Sequence, residues 1–441
     1  MDLYEAAVAG AAPGPLTSEA LADFDAAPAR RLWLYAFGKA SHAMATAAVA
    51  SLQRSPCTIA GGVVVGAEQQ PSPYPTLTCL AGDHPLPGRR SFTAAQQIGT
   101  TTAGMRSSDV AIVLLSGGAS SLIGAPLRGI SEADLGELFE LLVGSGLDIH
   151  AVNVIRKRFT RWGAGRLALA LAPARTYSLV ISDVPGDEVT DVASGPCTPD
   201  PSTVREVLAL LQSSGLSARI APSLRDYLGA VARGLTPETP KATHPAFAHV
   251  RTRLIGTNRL ALDAVVRRAA SLSVRAERAG DALAGDAAQC GERIASTLLE
   301  RARRGEAGVV VWGGETTVQL TRAPSFTGRS LDARGGPGTP PAGGRCQELA
   351  LAAARVLGDG GESGARVTLL AAGTDGRDGP TDAAGAYADG ILWETIRASG
   401  RDPALALARH ESYAALDGAG ALLRRGLTGT NVMDVVIGVV E

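Results

Sequence analysis

The chain has 441 residues, enough for two hydrophobic cores, and a formal net charge of −1 that excludes both the basic surface of a nucleic-acid binder and an acidic solvating tail. Five scattered cysteines without a CxxC pair exclude a disulfide framework or zinc site, and no apolar run nears the roughly 18 residues of a membrane span. With no basic, apolar leader at the start ("MDLYEAAVAG"), a cytoplasmic protein with neither nucleic-acid nor membrane partners is expected.

In chain order, "RLWLYAFG" reads as a buried strand and "KASHAMATAAVASLQR" as the helix behind it. "IAGGVVVGA" and "LTCLAG" read as further strands. "DVAIVLLSGG" is the strongest, its unbroken apolar run implying cover on both faces. "GISEADLGELFELLVGSG" is a helix with Ser131 as N-cap and Gly144 near its stop. Residues 149–172 read as helical despite their glycines, and "TYSLVISDVPGD" as a strand running into an acidic turn. The Pro/Thr/Lys-rich stretch 235–249 reads as an inter-domain linker. A second half then begins with the strand "RTRLIGTN" and the helix "RLALDAVVRRAASL". Strands "GVVVWGGE", "TVQLTR", "RVTLLAAG" and "DVVIGVV" follow, and the long Pro/Gly-rich stretch 323–344 reads as an insertion near the site. Strand–helix alternation makes the class α/β, in two domains with mainly parallel sheets.

In such sheets ligands bind at the carboxyl ends of strands, where helix N-termini offer free N–H groups. This chain places "GKAS" after its first strand, "SGGASS" after "VAIVLL", and "DVPGDEVTD" after "SLVIS". It places "GGET" after "VVVW" and "GTDGRDGPTD" after "VTLLAA". Each acidic turn alone is ordinary Asp–Gly turn chemistry. Together, acidic loops suit a divalent cation, and Lys, Arg and glycine loops suit phosphate or carboxylate. Only three of the 42 basic residues are lysines, Lys39, Lys157 and Lys241; a chain that uses Arg almost everywhere keeps Lys where a compact ammonium matters, which draws attention to "AFGKASHAMA" and "NVIRKRF". A P-loop, a GxGxxG fingerprint, a GxSxG elbow and metal-ligand histidine spacing are all absent. The residues alone describe a two-domain α/β enzyme for a small anionic substrate, working with a cation.

In order, "GKAS", "GDHPLP", "LLSGGASSL", "NVIRKRF", "SDVPGD", "ASGPCTPDPST", "GGETTV", "GGRCQELALA", "AGTDGRDGPTDAAGA" and "TGTNVMD" resemble the glycerate 2-kinase family, the class II or MOFRL-type glycerate kinases. The resemblance implies ATP- and Mg²⁺-dependent phosphorylation of D-glycerate to 2-phosphoglycerate. It implies a Rossmann-like domain over 1–245, a MOFRL-type domain over 246–441, and an active-site cleft between them, in a monomer or homodimer. Lys39, Arg345 and Asp183 are the implied catalytic residues. Ser116, Gly117, Gly118, Ser120, Asn153 and Arg156 are implied around substrate or phosphate, and Asp187, Glu315, Asp375 and Asp378 around metal or nucleotide. Asp382 and Asp389 are expected to be cap or surface residues.

The chain departs from that pattern at Gly88, Thr160, Gly163, Ala164 and Cys346, and in the 323–344 insertion. Two other readings stay open at this point: a hydroxypyruvate reductase-type oxidoreductase, and a sugar-acid-binding paralogue with weak or altered kinase activity.

Overall fold

Six strands of the first half run parallel in one sheet: β1 Arg31–Phe37, β2 Ile59–Gly66, β3 Leu77–Ala81, β4 Asp109–Leu115, β5 Arg175–Ile181 and β6 Val250–Gly256. The structure is a computed structural model and describes residues 1–24, 31–53, 58–318 and 343–441. The strand order is β3-β2-β1-β4-β5-β6, so the winding direction reverses between β1 and β4. Every residue of β4 is buried, as its continuous apolar sequence demands of a strand covered on both faces. Alternate residues (Tyr35, Phe37, Val63, Val65, Ala111, Val113 and Leu115) build one core face with Ile98, Leu122 and Leu171. A smaller helical core, with Leu135, Leu138, Phe139, Ile155, Leu211 and Leu228, is formed by segments between the later strands.

Three expectations change here. The segment 149–172 is not one helix: helix Ile149–Arg156 ends, and helix Arg166–Leu171 begins after a turn. Ala164 and Gly165 in that turn have φ of 54° and 78°, which an α-helix cannot contain. Residues 235–249 are no free linker, because Thr239 Oγ1 donates to Asp200 Oδ2 at 2.8 Å and Asp200 N donates to Pro240 O at 3.0 Å. The division into compact units falls at 256/257 rather than 245/246, since β6 pairs with β5, and Met1–Ala12 groups with the later unit.

That unit, Met1–Ala12 with Thr257–Glu441, holds a second six-stranded sheet. Its strands are β7 Ala276–Arg278, β8 Gly308–Gly314, β9 Val367–Gly373, β10 Gly385–Asp389, β11 Leu422–Leu423 and β12 Asp434–Val440. They are ordered β11-β10-β9-β12-β8-β7. The α/β class is borne out, but parallel pairing dominates only in the first sheet. In the second, among the described strands, only β7 and β8 pair in parallel, because β12 slots between β8 and β9 in the opposite sense and β10 doubles back on β9. Helices Ala287–Arg304 and Arg345–Asp359 pack so closely that a Cβ on Gly291 would lie 2.2 Å from Leu349 O. The N-terminal helix Asp2–Gly10 docks likewise, Gly10 against Ala264 of helix Asn258–Ser271, and Tyr4 Oη donates to Gly373 O at 2.8 Å.

The expected strand "TVQLTR" lies outside the described residues from position 319 onward, and of the 323–344 insertion only Gly343 and Gly344 are described. Among the described residues no helix is long and apolar enough to cross a membrane.

Candidate active site

Lys39 follows β1 and the Ser116–Gly118 loop follows β4, so both stand where the first sheet reverses its winding, the place such sheets bind ligands. The two turns are tied together. Lys39 N donates to Gly117 O at 2.9 Å, Ala40 N to Ser116 Oγ at 3.1 Å, and Ser116 N to Phe37 O at 3.0 Å. Gly38 has φ of 122°, and a Cβ there would sit 2.2 Å from Ser116 Oγ, so only glycine serves. A Cβ on Gly117 would fall 1.8 Å from Asp183 Oδ2, which places the carboxylate after β5 directly against the loop. Gly118, with φ of 84°, lies against His84 and the Lys39 side chain. Lys39, the glycine loop and Asp183 are therefore neighbours, while Asp187 sits further along the loop after β5, half-buried at φ 57°.

Beside them is a polar group built around Arg156. Its Nε donates to Asn153 Oδ1 at 2.9 Å and to Ser194 Oγ at 3.1 Å, and its Nη2 donates to Ser120 Oγ at 3.1 Å. Every one of these partners is neutral. Burial pulls the guanidinium down to about 10, with the nearby charges of Asp183 and Asp191 opposing. The ring of Phe139 lies 5.8 Å from the guanidinium carbon and covers it. The Nδ2 of fully buried Asn153 has no hydrogen-bond partner among the described residues.

The other unit gathers its candidates where β8 and β9 end and β12 begins. Arg345 opens helix Arg345–Asp359. Its Nε and Nη2 reach the two oxygens of Asp434 at 2.5 and 2.9 Å, and its Nη1 reaches Glu315 Oε1 at 2.8 Å. Asp434 opposes Gly314 on one side and Gly373 on the other, and Asn258 Nδ2 donates to its backbone carbonyl at 2.9 Å. A Cβ on Gly373 would lie 3.2 Å from Asp375 Oδ1 and 3.5 Å from Asp434 Oδ1, so both carboxylates face the end of β9. Asp378 is placed differently from the expectation of a metal or nucleotide group. Its two oxygens accept from Cys346 N at 3.1 Å and Gln347 N at 2.8 Å, so it caps the helix that carries Arg345. Asp389 also caps a helix and Asp382 is a surface partner of Tyr413 and Arg424.

Two of the three lysines are structural. Lys157 Nζ, almost wholly buried, lies 3.2 Å from Asp200 Oδ1, and Lys241 Nζ donates to Asp200 O at 3.1 Å, with Arg158 and Glu238 completing the cluster. The departures also have local reasons. A side chain at Gly88 would meet Asp83, whose Oδ2 lies 2.7 Å from the Cβ position and which pairs with Arg90. A Cβ on Gly163 would lie 2.5 Å from Thr160 Oγ1. Cys346 is buried beside Asp434 and Asp378, and burial holds its thiol well above the usual range, neutral between two acids.

Sequence reasoning missed Asp434 and Ser194. An acid opening an otherwise apolar strand was a usable signal for the first; "ASGP" offered only a turn. Among the described residues, no three His, Cys, Asp or Glu side chains converge as a metal site.

These features define a two-unit α/β protein with glycine-rich loops at the winding reversal of a parallel sheet. Residues 1–229 match the model of the domain of unknown function DUF4147, and residues 308–434 that of the MOFRL family. A glycerate 2-kinase of Pyrococcus horikoshii is 33% identical over 93% of this chain and 87% of its own. A D-glycerate 2-kinase of Thermotoga maritima is 35% identical over 93% and 91%. A crystal structure of glycerate kinase from Thermotoga maritima superposes with a TM-score of 0.81 at 32% identity, covering 100% of this chain and 98% of that one. The chain belongs to the glycerate 2-kinase family.

Proposed function

We propose that the protein transfers the γ-phosphoryl group of ATP to the 2-hydroxyl of D-glycerate, giving 2-phosphoglycerate. The observation that carries the reading, in a chain of this family, is Arg156: a cation whose hydrogen-bond partners among the described residues are all neutral, tied through Ser120 to the segment that follows the Ser116–Gly118 loop. Such a cation suits the acceptor's carboxylate, which it meets without first breaking an internal ion pair. Lys39 and the backbone N–H groups of the glycine loop suit the charge that builds on the transferring phosphoryl group. Asp183, against Gly117, is the carboxylate placed to accept a proton from the acceptor hydroxyl. Arg345, with charge already balanced by Asp434 and Glu315, is the candidate for nucleotide phosphate in its own unit.

Mg²⁺ would neutralise phosphate charge and orient the leaving group. Asp183 and Asp187 in the unit of the first sheet, and separately Asp375 in the later unit, would be the candidates to hold such an ion together with phosphate oxygens.

The test is incubation with D-glycerate and Mg-ATP, with the product identified by NMR. Conversion of that product by enolase without added phosphoglycerate mutase supports the 2-kinase reading; a requirement for the mutase overturns it. Consumption of NADH with hydroxypyruvate, and none of ATP with glycerate, would favour an oxidoreductase.

A further inference from the structure

Ser194 lies in a backbone conformation that its side chain disfavours. Ala193, Ser194 and Gly195 have consecutive φ values of 56°, 62° and 61°, and two of the three carry a Cβ. The turn is held from both sides. Ser194 N donates to Asp191 O at 3.1 Å and Gly195 N to Val192 O at 2.9 Å. Ala164 N, itself at φ 54°, donates to Ser194 O at 2.9 Å, and Gly165 N donates to Gly195 O at 2.7 Å. Strain that the surroundings enforce this thoroughly concentrates at functional sites.

The strained turn aims one hydroxyl. Ser194 Oγ is buried and lies 2.7 Å from Ser120 Oγ, donates to Asn153 Oδ1 at 3.1 Å, and accepts from Arg156 Nε at 3.1 Å. It is the single atom that touches all three of the other groups. Asn153 Oδ1 is occupied by Ser194 and Arg156 Nε, which leaves the amide's Nδ2 donors, and these have no partner among the described residues. Arg156 has its Nε edge taken and Nη1 uncommitted among the described residues. Among the described residues, then, a buried amide donor without a partner stands beside a cation without a carboxylate partner, a pairing that calls for an anion with at least two acceptor oxygens.

We infer that Ser194 is a positioning residue that fixes Asn153 Nδ2 and Arg156 as a paired donor set for the carboxylate of a short hydroxy acid. This rests on the proposed acceptor and adds the residue that sets its recognition.

The experiment compares Ser194→Ala, which deletes the hydroxyl and keeps the strain, with Ser194→Gly, which removes both. Two readouts are taken on the full chain: KM for D-glycerate and for ATP, and the rise in Tm on adding D-glycerate alone. Both variants are expected to raise KM for glycerate about tenfold, as loss of a hydrogen bond to a charged group does, with KM for ATP within about twofold. Both should lose most of the glycerate-induced rise in Tm, and Ser194→Gly should be the more heat-stable of the two without ligand. Unchanged glycerate KM and Tm response in Ser194→Ala overturns the inference, as does an equal rise in both KM values. A wild-type chain that glycerate stabilises but that does not consume ATP sinks the kinase reading alone, and the Tm readout still decides the role of Ser194. A wild-type chain indifferent to glycerate removes both.

Discussion

Arg345 and Asp434 lock fork to fork across 89 positions of sequence, two nitrogens on two oxygens at 2.5 and 2.9 Å. A planar guanidinium held in this way has little freedom left, and the third contact, to Glu315, sets its remaining edge. Asp434→Asn keeps the side-chain volume and offers one acceptor instead of two. If Arg345 acts on nucleotide phosphate, the loosened guanidinium should lower kcat by about 10²-fold, the scale of a misplaced catalytic group. Glu315→Gln, which leaves the fork intact, should lower it less. Steady-state kinetics of both variants decide; equal losses would remove the special role of the fork.

Lys39 and Lys157 should separate cleanly on mutation. Lys39 is exposed at a strand end, and Lys39→Ala should lower kcat by about 10²–10³-fold while Tm stays near wild type. Lys157 is buried against Asp200, and Lys157→Ala leaves that carboxylate in the interior with one partner fewer. Breaking such a pair costs about 3–5 kcal/mol. Urea melts and kinetics measured on the same preparations would expose the opposite pattern if the assignment is inverted.

Gly117→Ala tests the loop. Its new methyl group would overlap Asp183 Oδ2, 1.8 Å from the Cβ position, and the carboxylate has to move. A displaced proton acceptor should cost about 10²–10⁴-fold in kcat, the contribution of general-base catalysis. Activity within a few-fold of wild type would show that Asp183 is not held where the transfer needs it.

Asp378 gives a stability prediction with a definite sign. Burial first, and then the charge of Asp434, pushes its carboxyl up to about 7, against the pull of the Gln347 and Cys346 amides. The folded chain therefore keeps a proton that the unfolded chain has released above about pH 4. The stability this group contributes is full below that value and is lost as pH rises towards 7. Asp378→Asn cannot titrate, so its unfolding free energy should gain on that of wild type between pH 5 and pH 8. Urea melts across that range measure the gap, and a constant gap would refute the shift.

The strand-end turns were legible because parallel strands covered on both faces read as unbroken β-branched runs, and the chain's glycines and serines stand where those runs stop. Lys39, Ser116–Gly118 and Asp183 were found that way. The second sheet was misread because "GAYAD" continues a glycine-rich turn without a break, and nothing in "DVVIGVV" tells which way it runs. Residues 235–249 have the composition of a linker. Their anchoring through Glu238 and Lys241 depends on Arg158 and Asp200, which lie far away in sequence. The break at 163–165 was written in the glycines, and a favourable apolar pattern outweighed them. Ser194 was hidden because a left-handed serine looks like any other serine in "ASGP".

The helix Asp2–Gly10 belongs with residues that come more than half the chain later. A ribosome adding roughly 5–20 residues per second finishes helix Asn258–Ser271, against which Gly10 rests, some ten to fifty seconds after the N-terminus. Most of residues 13–256 emerges during that wait, as a contiguous stretch that β6 then closes. The nascent N-terminal helix cannot dock, and Tyr4, Ala7, Val8 and Ala11, all buried in the finished fold, stay uncovered in the meantime. This small apolar face has to be kept from other partners until its own is made, and a fusion partner that holds it should delay closure of the later unit, not the earlier one.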